Sequence, residues 1–260
     1  MATDTIKIRQ QPLMNVHKPI LIIQLRPEDE TSNSEYQAIL KYGGLQKSDT
    51  KRIRIEKTGI PDLSLQDYSA IIVGGSPFDI STPQNEKSRI QKQIEADFQR
   101  LFDRIVPNDF PFLGACSGCG LLGSYLETPI TRRFSEPVGC VEVSLTEEAR
   151  TDSLLTDFPA KIDVLLGHKE ACDRIPEQST LLITGEACPV QMFRVGNNVY
   201  ATQFHPEGDA DGFTVRVHAY KHHGYFDPDE ADGLIAALSR KDTPYSRLIL
   251  ARFVKRYLNS

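Results

Sequence analysis

FPFLGACSGCGLLG, residues 110–123, begins as a short apolar run, Phe110-Pro111-Phe112-Leu113, and ends as the start of a helix at Leu121-Leu122. Between them lies Gly114-Ala115-Cys116-Ser117-Gly118, a G-x-C-x-G. That spacing predicts an elbow, in which a buried strand turns sharply into a helix and holds a nucleophile at the apex. Glycines two residues before and after Cys116 let the strand and helix backbones approach closely. A cysteine at a helix N-terminus feels the positive end of the macrodipole, which favours thiolate over thiol. The amide of Ser117, next in the chain, is placed to donate to an oxyanion.

The stretch admits other readings. Cysteine is among the most buried residue types, so Cys116 taken alone reads equally well as a small core residue. Gly118-Cys119-Gly120-Leu121-Leu122-Gly123 is a G-x-G-x-x-G. Its first glycine, however, lies several residues past the strand, and Glu127-Thr128-Pro129 is no second strand, which disfavours a dinucleotide fold. Cys116 and Cys119 also have the C-x-x-C spacing of a redox pair. A second piece of chemistry has to decide.

On either side of the elbow the chain alternates strand and helix signals. Residues 18–25 are a continuous apolar run, suited to a parallel strand, and residues 26–34 a polar loop at its carboxyl end. Residues 35–42 read as a helix stopped by Gly43-Gly44, 52–55 as a strand, and 68–73 as a stronger one. After it, Gly74-Gly75-Ser76-Pro77 exposes backbone amides where parallel sheets bind ligands. Thr82-Pro83 predicts the start of a helix running to about Val106, with Ile90, Ile94, Phe98, Leu101, Phe102 and Ile105 as its buried stripe. The order β-α-β-β-α-β-α implies an α/β fold: an open, mostly parallel, flavodoxin-like sheet with helices on both faces. Short runs at 141–145, 162–168, 180–186, 190–195 and 199–204 predict extra strands, partly antiparallel. Residues 1–17 read as a flexible tail, and 18–260 as one domain with a helical extension from about 208.

Composition agrees. The chain has 260 residues, 40% hydrophobic and 25% charged, with net charge −5, which leaves no electrostatic footprint for nucleic acid. No run is long and apolar enough to span a bilayer. Five scattered cysteines suggest reduced thiols and a cytoplasmic location. His218, His222 and His223 lack zinc spacing, so neither a metal nor a cofactor is expected. On the last helix Tyr245, Ile249, Phe253 and Tyr257 stand four apart as a packing face.

The second piece of chemistry is Gln203-Phe204-His205-Pro206-Glu207. Pro206 restricts His205 to extended angles, and side chains two apart on an extended segment share a side. His205 and Glu207 therefore converge as an imidazole base and its orienting carboxylate. With Cys116 they make the thiol form of a catalytic triad.

Gly74-Gly75-Ser76-Pro77, Gly114-Ala115-Cys116-Ser117-Gly118 and Gln203-Phe204-His205-Pro206-Glu207, in that order, resemble the class I glutamine amidotransferases, in particular stand-alone proteins similar to the glutaminase domain of GMP synthase. The resemblance covers roughly residues 18–207. It implies that Cys116 attacks the side-chain amide of glutamine to form a γ-glutamyl thioester, that His205 moves the protons, and that Glu207 sets its tautomer. It places the oxyanion hole at the amides of Gly75 and Ser117, and substrate contacts at Gly74, Gly120, Gly167 and His168. Two of those positions depart from the family pattern. Gly120 stands where the family usually has a substrate-binding glutamine, and Gly167 where it has a serine. With no ATP-pyrophosphatase loop in the sequence, a synthetase or other acceptor of the ammonia is expected to be another polypeptide. The same triad also serves hydrolysis of γ-glutamyl peptides or conjugates, and Gly120 keeps that substrate class open. A catalytically silent binding or regulatory relative is the contrasting reading.

Overall fold

The apolar run after Lys18 forms β1 (Ile20–Gln24), buried along its whole length. Its side chains alternate between two cores: Ile20 and Ile22 face one layer, Leu21 and Ile23 the other. That is the pattern of a strand covered by helices on both faces. The computed structural model describes residues 18–258, so the tail expected over 1–17 lies outside the described residues.

The chain continues through α1 (Asp29–Gly43), β2 (Thr50–Arg54), the single turn α2 (Ile55–Thr58), β3 (Ala70–Val73), α3 (Arg89–Ile105), β4 (Phe112–Ala115) and α4 (Ser117–Tyr125). The strand-rich stretch follows: β5 (Ile130–Thr131), β6 (Glu136–Leu145), β7 (Lys161–His168), β8 (Ala171–Cys172), β9 (Ser179–Gly185), β10 (Met192–Val195) and β11 (Val199–Thr202). Helices α5 (Ala210–Ala219), α6 (Ala231–Leu238) and α7 (Pro244–Tyr257) close the chain. Among the described residues no helix is long and apolar enough to cross a membrane.

Among the described residues, nine strands form one sheet in the order β2-β1-β3-β4-β11-β10-β9-β6-β7. The first five run parallel and the remainder pair antiparallel. β5 and β8 make a separate two-stranded ladder. The expected α/β sheet with extra antiparallel strands is therefore present. One core packs α1 and α7 against the sheet through Tyr36, Ile39, Ile249 and Phe253. The other packs α3 and α4 through Phe98, Phe102, Leu121 and Leu122. The carboxyl ends of the parallel strands gather Arg26, Gly74-Gly75, Cys116 and His205 at one edge, where such sheets form their ligand crevice.

Two helix starts and one helix face differ from the sequence expectation. α1 starts at Asp29, inside the stretch read as a polar loop, because Asp29 and Glu30 favour a helix's first turn. α3 starts at Arg89, not near Thr82-Pro83: Ser88 caps it by accepting from the Gln91 amide. Ile90, expected in the buried stripe, is consequently in the first turn and 46% exposed, while Ile94, Phe98, Leu101, Phe102 and Ile105 are buried as expected. On α7 the packing face starts at Ile249, with Tyr245 left 39% exposed.

The strand-to-helix turn leaves no room at Gly114. A Cβ there would lie 2.8 Å from the carbonyl carbon of Gly118 and 2.8 Å from the Phe112 ring. Gly114→Ala must push helix from strand, and overpacking of this kind costs about 1–3 kcal/mol. Urea denaturation is expected to show that loss; an unchanged midpoint would mean that the elbow relaxes freely.

Candidate active site

Cys116 stands at the apex between β4 and α4 with φ 51° and ψ −99°, a left-handed setting rare for a side chain with a Cβ. Such strain persists only where the surroundings enforce it. Here the Cys116 amide donates to the Thr202 carbonyl at 2.8 Å, joining the ends of β4 and β11. The Cys116 carbonyl accepts from Cys119 and Gly120 at 2.9 and 3.1 Å, opening the helix. Ser117 Oγ accepts from the Ser76 amide at 2.8 Å and so ties the loop after β3 to the start of α4.

His205 follows β11 and is anchored by its amide to the Leu165 carbonyl of β7 at 2.9 Å. Its Nδ1 meets Glu207 Oε1 at 2.8 Å, which turns Nε2 over to other partners. Arg216 of α5 donates from Nη2 to the same carboxylate oxygen at 2.8 Å. His205, Glu207 and Arg216 are buried, Cys116 is half-buried, and Cys116 and His205 line one cavity.

Desolvation pushes the Cys116 thiol up to about 11, outweighing the guanidiniums of Arg26 and Arg216, which pull it down. The resting side chain is therefore a thiol, not the thiolate expected from the helix terminus. It needs a base. Burial and then Arg216 hold His205 below its ordinary value, against the opposing pull of Glu207, so the imidazole is neutral and able to accept a proton. Burial alone would raise Glu207, but His205 and Arg216 overcome it and keep the carboxylate ionised.

Glu35 of α1 belongs to the site without any motif to mark it. Fully buried, it accepts from Arg26 Nε at 2.8 Å, Gln24 Nε2 at 2.9 Å and the Gly75 amide at 3.1 Å. A Cβ on Gly74 would lie 2.2 Å from Glu35 Oε2, and one on Gly75 2.6 Å from Arg26 Nη2. The double glycine thus admits a carboxylate and a guanidinium to the loop. The amide of Gly75, expected to donate to an oxyanion, is engaged by Glu35, and serving an oxyanion requires that bond to be shared or released. Ser117 is the first residue of α4, where amides have no partner within the helix.

A second cavity meets the first at Cys116 and is lined by Gly120, His168, Glu170 and Gln203. A Cβ on Gly120 would lie 2.8 Å from Ile80 Cδ1, so an isoleucine fills the place of a side chain at 120. A Cβ on Gly167 would lie 2.6 Å from Val138 Cγ2, which accounts for the missing serine; Gly167 itself lines the first cavity. His168 is fixed by Glu136 Oε2 at 2.9 Å and by the Glu170 carbonyl at 3.0 Å. The Glu170 carboxylate, likewise outside the sequence motifs, accepts from the Ile80 and Ser81 amides at 2.6 and 2.8 Å. Gln203 Oε1 is buried without a hydrogen-bond partner.

Two clusters among the described residues have potential metal-ligand geometry, Glu35-His205-Glu207 and Glu136-His168-Cys188. In the first, the guanidiniums of Arg26 and Arg216 already balance the carboxylates. In the second, Glu136 Oε2 also accepts from Gln191 Nε2 at 2.6 Å. Neither needs a cation to account for its arrangement.

Comparison with known proteins agrees with the family resemblance. The family model for glutamine amidotransferase class-I matches residues 32–219. A glutamine-hydrolyzing GMP synthase subunit of Sulfurisphaera tokodaii is 28% identical over 144 residues, 55% of this chain and 69% of that protein. The glutamine-hydrolyzing GMP synthase of Wolbachia pipientis is 24% identical over 146 residues, which span only 27% of its length. A crystal structure of a glutamine amidotransferase from Thermotoga maritima superposes with a TM-score of 0.74 at 20% identity, covering 94% of this chain and 100% of that one. That likeness shows the fold.

Two outcomes are expected from the charge network. Glu35→Ala strands the Arg26 guanidinium in the interior, a loss of about 3–5 kcal/mol by analogy with other broken buried pairs, readable in urea denaturation. For any activity that needs neutral His205, the acid limb of kcat/KM falls below the ordinary histidine value of 6.5. Arg216 disfavours the imidazolium, so Arg216→Gln moves that limb to higher pH; an unmoved limb would mean that His205 does not set it.

Proposed function

The chain belongs to the class I glutamine amidotransferase family, and from that premise we propose that it hydrolyses γ-glutamyl amides through a thioester on Cys116, with glutamine as the first substrate to consider. The observation that carries this reading is the convergence of Cys116 and His205 on one cavity, with Glu207 bonded to the far nitrogen of the imidazole.

In the proposed cycle, His205 Nε2 takes the thiol proton as sulfur attacks the amide carbon. The amide of Ser117 receives the developing oxyanion, joined by that of Gly75 when Glu35 yields it. One such donor is worth about 10²–10³ in rate at comparable sites. Collapse breaks the C–N bond, and His205 returns its proton to the leaving nitrogen. Water then attacks the thioester with His205 again as base, glutamate departs, and the thiol is restored. Glu207 and Arg216 hold the imidazole in one tautomer throughout. The glutamyl portion lies in the cavity of Gly120, His168 and Glu170, where the Glu170 carboxylate suits an α-ammonium group.

Glutamine is favoured by the relatives, whose names specify glutamine hydrolysis. Released ammonia would pass to a separate acceptor enzyme, such as a synthetase. The bond between Gly75 and Glu35 favours a second reading, a relative that is silent until a partner or substrate displaces the carboxylate.

The test is release of ammonia and glutamate from L-glutamine by the purified chain beside Cys116→Ala. A loss of about 10³-fold or more in the variant is expected for removal of a nucleophile. Equal turnover by both proteins would overturn the thioester. No turnover by either, with a γ-glutamyl hydroxamate likewise absent when hydroxylamine is supplied, would favour the silent relative.

A further inference from the structure

Cys116, Ser76 and Tyr225 line both cavities, and the two chambers therefore meet at the sulfur. In amide cleavage the acyl portion extends to one side of the attacked carbon and the leaving nitrogen to the other. The acid that protonates that nitrogen has to stand on the leaving side. His205 lines the first cavity and not the second. On the proposed γ-glutamyl amide chemistry, on which this inference rests, the first cavity is the leaving-group chamber.

Its walls are not those ammonia would require. Phe213, Tyr220, Tyr225 and Phe226 supply aromatic surface, and Arg26 and Arg216 supply charge. Arg26 places Nε on Glu35 and Nη1 on the Tyr220 hydroxyl. Arg216 places Nη2 on Glu207, while its Nη1 is buried with no hydrogen-bond partner on a side chain only 8% exposed. A buried guanidinium N–H without a partner is a vacant place for an anionic oxygen. Ammonia offers neither an anion nor an apolar face. An aromatic amino acid offers both.

We infer that the first cavity binds the amine half of a γ-glutamyl aromatic amino acid, with its ring among Phe213, Tyr220, Tyr225 and Phe226 and its carboxylate on Arg216 Nη1. The reaction balances without a further reactant. The isopeptide C–N bond breaks as the thioester C–S bond forms, His205 protonates the departing amine, and water later releases glutamate.

The experiment compares kcat/KM for glutamate release by the full chain on four substrates. γ-Glutamyl-phenylalanine carries ring and carboxylate, γ-glutamyl-phenethylamide the ring alone, γ-glutamyl-glycine the carboxylate alone, and L-glutamine neither. Binding of the same compounds to Cys116→Ala is measured by calorimetry. The phenylalanine conjugate is expected to exceed the phenethylamide by about 10- to 100-fold, the effect of one charge-assisted hydrogen bond, and to exceed γ-glutamyl-glycine and glutamine as well. Glutamine hydrolysis with no advantage for the phenylalanine conjugate overturns the chamber and leaves the γ-amide hydrolase standing. Equality of the phenylalanine conjugate and the phenethylamide overturns the role of Arg216. Preferential binding of the phenylalanine conjugate without turnover of any compound supports the chamber and overturns the hydrolase. Neither binding nor turnover overturns both.

Discussion

A single buried carboxylate organises this site. Glu35 has no exposure to water, yet it gathers the Gln24 amide at the end of β1, the Arg26 guanidinium just after it and the Gly75 amide of the loop after β3. A charge in that position is tolerable only because it is paired and fully hydrogen-bonded. The requirement runs outward. Gly74 and Gly75 have to lack side chains so that Glu35 and Arg26 fit against the loop. Arg216 Nη2, 4.0 Å from Glu35 and 2.8 Å from Glu207, extends the alternation of charge to the imidazole. Arg26, held by Glu35, and Arg216 are the cations that act on both Cys116 and His205.

The same network explains why the thiol rests neutral. Two guanidiniums lower it and two carboxylates, Glu207 and Glu170, raise it, so burial decides the balance. On the proposed chemistry, a neutral thiol and a neutral imidazole would keep the proton until a substrate carbonyl arrives. That would suit a nucleophile three residues from another thiol, Cys119, which is better left unreactive between turnovers.

Much of this was legible in the sequence. The elbow was readable because the chemistry is local: Gly114, Cys116 and Gly118 occupy five consecutive positions, and the glycine spacing reports how closely backbone meets backbone. His205 and Glu207 were readable for the same reason, being two apart on extended chain with Pro206 between them. The alternation of apolar runs gave the sheet. Glu35, Arg26 and Arg216 were not legible, because their partners are 9 to 194 residues away and only the folded chain brings them together. Glu170 was within reach. It stands two residues after His168, the spacing that linked His205 to Glu207, but no proline there marked the backbone as extended. The start of α3 was misplaced because Thr82-Pro83 and Ser88 are both good caps, and the loop's hydrogen bonds to Glu170 choose the second.

The two departures from the family pattern come with compensating neighbours. Ile80 occupies the volume next to Gly120, and Val138 the volume next to Gly167. Placing the family's usual side chain on either glycine alone drives it into occupied space; trimming Ile80 makes room at 120, whereas at 167 the Val138 backbone, its Cα 3.0 Å away, has to shift as well. On the proposed function, specificity at this crevice would evolve through paired steps, with a crowded or hollow intermediate between them. In an alignment, residues 80 with 120 and 138 with 167 should change together, and a family branch with this chain's specificity should be recognisable by the pairs before any single position identifies it.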